Sequence, residues 1–455
     1  MKGSPFVSTR NPCKLCAPLG ASFVYLGIEN CIPLLHGSQG CSTYIRRYGI
    51  SHFREPIDIA SSNFTESSAI FGGGENLKQA IHNIGSQYKP KAIGIASTCL
   101  SETMGENIPM YLSQYASEYA DESVKPVVFH TSSASYQGTH MDGFYKALRS
   151  VTETLAGSEG DTTVFDRPHI NVLGSFMSPE EIRELKDIFD SFGLSCTLLP
   201  DYSESLDGPS WEEYSKRPEG GTPLADIRAM NKAAETISFD QVSPEDLRAG
   251  TWLKNKFDIP CTNMALPVGI ENCDLFYETL ARVSGKPVPP KWTAARGRLI
   301  DAYIDGHKYC SGKRAIIYGD EEFVLSYTAF LSEIGVQPVI AATGARSADF
   351  VSRIQALVPS GSQKIHIADD SDFESMLEVA RDAEADLIIG NSKGYYLSRN
   401  LGIPLVRAGF PVHDRMGGQR LMHLGYRGTT TLFDSVCNAL MQSKQDEAGS
   451  GWTYI

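Results

Sequence analysis

Nine short apolar runs, each followed by a stretch of helical periodicity, most constrain what this chain can fold into. Residues 91–97 (KAIGIAS), 126–130, 170–175 and 195–200 form a first series. Residues 314–318, 336–342, 364–368, 386–390 and 404–409 form a second. These runs are apolar on both faces, as strands are when helices cover a sheet on each side. Between them, residues 178–192 set Ile182, Leu185, Ile188 and Phe189 on one helical stripe. Strand–helix alternation of this kind predicts parallel sheets flanked by helices. At 455 residues the chain is too long for one core. The expected fold class is therefore α/β, with three doubly wound, Rossmann-like domains over residues 1–165, 166–310 and 311–455. In such folds ligands sit beyond the carboxyl ends of the strands.

Charge and composition remove several classes of function. A formal net charge of −13 argues against a nucleic-acid partner, which would favour a basic face. No window approaches the ~18 apolar residues of a membrane span. The opening MKGSPFVSTRNPCKLC lacks the apolar stretch of a secretory signal, so a cytoplasmic location is expected. No phosphate-binding loop occurs; residues 306–314 have the wrong spacing for one, and no G-x-G-x-x-G follows a strand, so neither ATP nor NAD is expected to bind this chain.

Ten cysteines in a reducing compartment are free thiols or metal ligands rather than disulfides. Cys13 and Cys16 form a C-x-x-C ahead of Pro18 and Gly20, in a segment without helical character. Cys41 closes the glycine-rich turn HGSQGC, and Cys99 follows the strand 91–97. Strand ends and glycine turns can aim thiolates at a common point, and three such ligands suit an iron–sulfur cluster or zinc. Gly37 and Gly40 would let backbone N–H groups reach the sulfur atoms. The bland alternative is that these are ordinary buried thiols, and spacing alone does not separate the two. A fourth ligand is missing, which points to a partner chain.

Nine motifs then carry a resemblance. CAPLGA (16–21), HGSQGC (36–41), HFREP (52–56), FGGGENL (71–77) and STCLSE (97–102) occur in that order. RPEGGTPL (217–224), LIDAYIDGHKY (299–309), GNS (390–392) and AGFPVHDRMGG (408–418) follow. Together they resemble the β-type subunit of the nitrogenase component 1 superfamily across nearly the whole chain. The resemblance implies that Cys16, Cys41 and Cys99 supply this subunit's half of an [8Fe-7S] P-cluster, with an α-type subunit supplying three further thiolates. The cluster would lie between domains at the subunit interface. Ser135 resembles the serine that can ligate the oxidised cluster, although Ser132 or Ser133 could be the nearer hydroxyl in the rearranged run HTSSASYQGTH. Phe71 stands at the family's docking aromatic for an ATP-dependent, homodimeric iron–sulfur reductase protein. Tyr44 resembles the tyrosine on the electron path, and a packed aromatic is its alternative. Arg54, Glu55, Asp301 and Asp305 resemble a divalent-cation site between two β-type subunits. A solvated acidic helix face is the alternative for the two aspartates. Cys31, Cys196, Cys261, Cys273, Cys310 and Cys437 read as buried thiols, and Cys13 has no counterpart.

The resemblance implies an electron-relay subunit of an α2β2 heterotetramer, with catalysis on the partner chain. The substrate would be dinitrogen, or a methylthio-alkane whose carbon–sulfur bond is cleaved. With Cys16 so near the start, the long N-terminal arm of molybdenum nitrogenase β-subunits is expected to be lacking. The short start is also similar to the β-like scaffold on which nitrogenase cofactor is matured, which would carry a [4Fe-4S] cluster. A solute-binding α/β protein with buried thiols is the third possibility.

Overall fold

A computed structural model describes residues 13–119, 125–158, 163–210, 218–358 and 365–448. Three all-parallel sheets each come from one continuous stretch of chain. The first has the order β2-β1-β3-β4, from β1 (Cys31–His36), β2 (Ala60–Ser61), β3 (Ala92–Ser97) and β4 (Val127–Thr131). The second, β6-β5-β7-β8, contains β5 (His169–Leu173), β6 (Ser195–Leu199), β7 (Glu235–Ser238) and β8 (Cys261–Asn263). The third, β11-β10-β9-β12-β13, contains β9 (Arg314–Gly319), β10 (Gln337–Thr343), β11 (His366–Ala368), β12 (Leu387–Gly390) and β13 (Leu405–Arg407). All nine predicted strands are present with shifted ends; Lys364, at the start of one, lies outside the described residues.

Four further strands escape the sequence reading, each for a physical reason. β1 contains Pro33, which lacks the N–H that a central strand needs. It is tolerated because the Leu35 carbonyl faces the β2 side, where it accepts from Ser62. Pro33, two residues earlier, faces the same side. There β2 pairs only with Leu34 and Leu35, so no partner goes without a donor. β7 is polar in sequence yet buried; its Glu235 carboxylate is held bidentately by Arg282 at 2.8 Å and 2.8 Å. β2 and β8 are too short to show a period.

One hydrophobic core runs through all three sheets, from Phe23 and Phe144 through Ile188 and Phe276 to Leu331 and Leu432. The predicted amphipathic stretch is the helix Pro179–Ser191, capped by the Ser178 hydroxyl on the Glu181 N–H. Among the described residues, no helix is long and apolar enough to cross a membrane.

Around the first sheet lie α1 (Ala17–Leu26), α2 (Gln39–Phe53), α3 (Glu66–Phe71), α4 (Gly74–Tyr88), α5 (Cys99–Met104), α6 (Ile108–Glu118) and α7 (His140–Leu155). The first turns of α1 and α7 press together backbone to backbone. A Cβ on Gly20 would stand 1.7 Å from the His140 carbonyl oxygen, and one on Gly143 would stand 1.9 Å from that of Ala17. Only hydrogen fits between them.

A candidate metal-cluster site at three helix N-termini

The turns that carry Cys41 and Cys99 leave β1 and β3 side by side, because His36 pairs with Ser97 at the ends of these strands. Thr98 joins them: its hydroxyl donates to the His36 carbonyl at 3.0 Å. A Cβ on Gly37 would stand 2.2 Å from the Thr98 hydroxyl, so the two turns are in direct contact.

Each predicted ligand sits at the start of a helix. Cys16 is the N-cap of α1, and Leu19 N–H donates to its carbonyl at 3.1 Å. Cys41 lies in the first turn of α2, and Cys99 is the first residue of α5. The segment after Cys16, expected to lack helical character, is therefore helical; Pro18 is compatible because the first turn makes no use of its missing N–H. Likewise the turn at Cys41 is the start of a helix, not merely a glycine loop.

Cys16 and Cys41 are half-buried and Cys99 is exposed. Burial pushes the Cys16 thiol up to about 11, and the neighbouring Cys41 and Cys99 push the same way. The three thiols therefore share one electrostatic neighbourhood. Yet among the described residues, no three His, Cys, Asp or Glu side chains are close enough to hold one metal ion. Three thiolates are soft donors of the kind that iron–sulfur clusters take. Positive ends of three helix dipoles face the place where thiolates and sulfides would concentrate negative charge. The donor set thus fits an iron–sulfur cluster.

Ser135 lies between the thiols. Its N–H donates to the Cys99 sulfur at 3.2 Å, and its hydroxyl oxygen accepts from the Ala17 N–H at 3.2 Å. Ser132 instead donates to Glu102 at 2.7 Å, and Ser133 to the Ser97 carbonyl at 2.8 Å. Of the three candidate serines, only Ser135 has its hydroxyl at the site. Gly37, expected to point its N–H at the cluster, does not: that N–H donates to the Ser62 hydroxyl at 3.0 Å. Gly40 alone retains an open approach.

Lys393, beyond β12, escaped the sequence reading. Burial lowers its ammonium pKa, while the Cys13 and Cys16 thiols act in the opposite direction, and its Nζ lies 5.9 Å from the centroid of the Tyr48 ring. The motif GNS ends one residue before it, the only sequence signal available.

Apolar side chains left in solvent surround the thiols. Tyr44 is 54% exposed, Tyr136 62% and Leu100 40%. Phe71, the last residue of α3, is 85% exposed with Ile70 beside it, and Gly72 turns the chain at φ 93°. The Tyr44 hydroxyl donates to that of Tyr48 at 3.3 Å, and the Tyr48 ring lies 5.1 Å from His413. A cavity lined by His52, Glu181, Tyr327 and His423 includes none of the cysteines. Of the three thiols, only that of Cys99 is exposed.

The second expected metal site is not assembled within one chain. Arg54 caps α2 at φ 64° and donates to the His413 carbonyl at 3.3 Å. Burial and the nearby Asp207 push the Glu55 carboxyl up. Asp301 and Asp305 share an exposed face of the helix Pro290–Cys310 with Ile304. No described contact joins the two pairs. Among the other thiols, Cys31, Cys273, Cys310 and Cys437 are buried as expected, and Cys13 is buried too. Cys196 and Cys261 are only partly so, because they lie on edge strands β6 and β8.

Comparison with known proteins gives concordant results. Residues 16–441 match the family model of nitrogenase component 1 type oxidoreductases. The nitrogenase molybdenum-iron protein beta chain of Clostridium pasteurianum is 35% identical over 96% of this chain and 94% of its own length. That of Methanothermobacter thermautotrophicus is 34% identical over 95% and 94%. The nitrogenase iron-molybdenum cofactor biosynthesis protein NifN of Bradyrhizobium diazoefficiens is 31% identical over 96% and 90%. A chain of the solved structure of nitrogenase Cp1 at pH 6.5 superposes with a TM-score of 0.94, at 33% identity, covering 100% of this chain and 98% of that one.

Proposed function

The chain belongs to the nitrogenase component 1 type oxidoreductases as a β-type subunit, and from that premise we propose that it relays electrons through a P-type cluster shared with an α-type partner. Convergence of Cys16, Cys41 and Cys99 at three helix N-termini, on a face lined with exposed apolar side chains, carries this reading. Three thiolates on one chain with no fourth ligand suit half of an interfacial cluster. An iron–sulfur cluster supplies one-electron chemistry at low potential.

Residues of this chain do the rest. The thiolates of Cys16, Cys41 and Cys99 hold the group, and the helix N-termini offset their charge. Ser135 presents a hydroxyl beside two of them and keeps the Cys99 sulfur in place through its N–H. Lys393 adds a positive charge near Cys16. Leu100, Tyr136 and Tyr44 exclude water once the partner covers this face. Tyr44 and Tyr48 form an aromatic, hydroxyl-bearing step away from Cys41. Phe71 is the anchor for an ATP-hydrolysing reductase protein, because an apolar side chain this exposed contributes little unless a partner buries it. Arg54 and Glu55 of one copy, with Asp301 and Asp305 of another, would supply oxygen ligands and charge for a divalent cation in an α2β2 assembly.

Anaerobic purification with the adjacent α-type chain, followed by iron counting and EPR, tests the reading. An eight-iron signature that Cys99→Ala abolishes supports it; an intact signature in that variant overturns the ligand set. The similarity to NifN favours a second reading, an assembly scaffold, whose mark would be a four-iron cluster. Assays with dinitrogen and with methylthio-alkanes then identify the substrate.

A further inference from the structure

A buried carboxylate ties the exposed Phe71 loop to both cysteine turns of the first sheet. Glu106 follows α5, its side chain 3% exposed, and its backbone N–H donates to Ser101 within that helix at 3.1 Å. One oxygen accepts the N–H of Gly73, two residues after Phe71, at 2.9 Å. The other lies 3.4 Å from His36 Nε2. Burial lowers the His36 pKa and favours the neutral imidazole, whose Nδ1 is 3.1 Å from the Ser62 hydroxyl. That same hydroxyl oxygen accepts the Gly37 N–H, in the turn that leads to Cys41. At its other end, α5 begins with Cys99.

Besides a hydrogen bond with the Tyr111 hydroxyl, Glu106 has three connections to the site: to the docking loop, to the Cys41 turn through His36 and Ser62, and to Cys99 through a helix of six residues. A short helix moves as a rigid unit, and a carboxylate buried among a few donors cannot exchange them for water. We propose that Glu106 is a positioning residue that transmits docking at Phe71 to the thiol-bearing turns, so that electron delivery is fastest when the reductase protein is seated. This rests on the docking and cluster assignments above. It adds the element that joins them.

The test uses the heteromer purified anaerobically with its α-type partner, carrying Glu106→Ala, Glu106→Gln or Phe71→Ala. Two electron sources are compared, dithionite and the ATP-hydrolysing reductase protein, and hydrogen exchange of residues 99–104 is followed on docking. Expected for Glu106→Ala are unchanged iron content and EPR, dithionite reduction within about twofold of the parent, and reductase-driven delivery slowed about tenfold with more ATP hydrolysed per electron. Docking should alter exchange of residues 99–104 in the parent but not in this variant. Glu106→Gln, which still accepts from Gly73, should recover most of the rate. Equal slowing with both sources, loss of iron, or reductase-driven delivery within twofold of the parent overturns the proposal. Weakened docking in Phe71→Ala alongside an unaffected Glu106→Ala would refute the coupling alone. Unaltered docking in Phe71→Ala would refute the docking assignment beneath it.

Discussion

Replacing Gly143 by alanine should damage the site without touching a thiol. The new Cβ would stand 1.9 Å from the Ala17 carbonyl oxygen and 2.6 Å from the carbonyl carbon, where ordinary contact begins near 3.4 Å. The obstacle is backbone, so no rotamer change relieves it, and α1 and α7 must separate by roughly 1.5 Å (3.4 − 1.9). Overpacking of that size costs about 3 kcal/mol. Alanine returns about 1 kcal/mol of helix propensity, leaving a net loss of about 2 kcal/mol. The matched control is Gly297→Ala in the helix Pro290–Cys310, where a Cβ meets nothing within 4 Å. It should stabilise by about 1 kcal/mol. The same substitution at two helical glycines is thus predicted to differ by about 3 kcal/mol, with opposite signs. Because Cys16 immediately precedes Ala17, the displaced helix carries the thiol with it. Metal sites tolerate only roughly 0.2 Å in ligand distance, so iron content should fall as well. Thermal unfolding and iron per heteromer are the measurements. If Gly143→Ala melts with Gly297→Ala and keeps its iron, the tight crossing does not position Cys16.

Three further outcomes follow from buried charge. Burial, reinforced by Asp240, raises the Glu322 carboxyl to about 8, although the Val242 N–H donates to it at 2.9 Å. Its folded pKa lies above the unfolded one, near 4.3, so its contribution is full below that value and is lost as pH rises toward about 8. Glu322→Gln should flatten the fall in melting temperature between those limits, and parallel profiles would refute this. Asp274 has the opposite sign. Burial alone would raise it, but the Arg296 fork at 2.8 Å and 2.7 Å and the Tyr426 hydroxyl at 2.6 Å hold it below the usual carboxylate range. Its stabilisation is present above about pH 4 and lost as pH falls through the depressed value. Arg296→Met should therefore lower stability at neutral pH while making acid unfolding shallower, as monitored by circular dichroism. Finally, Lys393→Met removes a partly buried cation whose charge is felt at Cys13 and Cys16, and should shift the cluster midpoint to more negative potential in a redox titration, since the reduced state loses a favourable charge.

Much of the architecture was legible because period and position are local properties. The stripe of Ile182, Leu185, Ile188 and Phe189 needs no tertiary knowledge, and its helix ends within one residue of the expected bounds. β1 was hidden because Pro33 argues against a central strand, and only the neighbour's shortness makes it admissible. Glu235 hid β7 in the same way: its burial depends on Arg282, a residue from a distant helix. At the site, the three thiols were legible as residue types in glycine turns, but their helix positions were not. Cys16 is the N-cap of α1 but makes no side-chain cap bond and is not of a type that signals a helix start, and at α5 the Thr98–Ser101 pair lacks the acidic partner at the third position that usually advertises one. Lys393 and Glu106 owe their surroundings to chain crossings that no local pattern encodes.

The pairing of His36 with Ser97 has a consequence for how metal would be acquired. Two of the three ligand turns are fixed in height and separation by neighbouring strands of a buried sheet, and the third by a helix crossing without side chains between. The free energy that gathers the thiols is thus that of the hydrophobic core, released when the chain folds. Metal binding has no folding left to drive, unlike a zinc finger that is unfolded without its ion. Chelation should strip iron from such a chain and leave a cooperatively folded apoprotein, competent to be filled again.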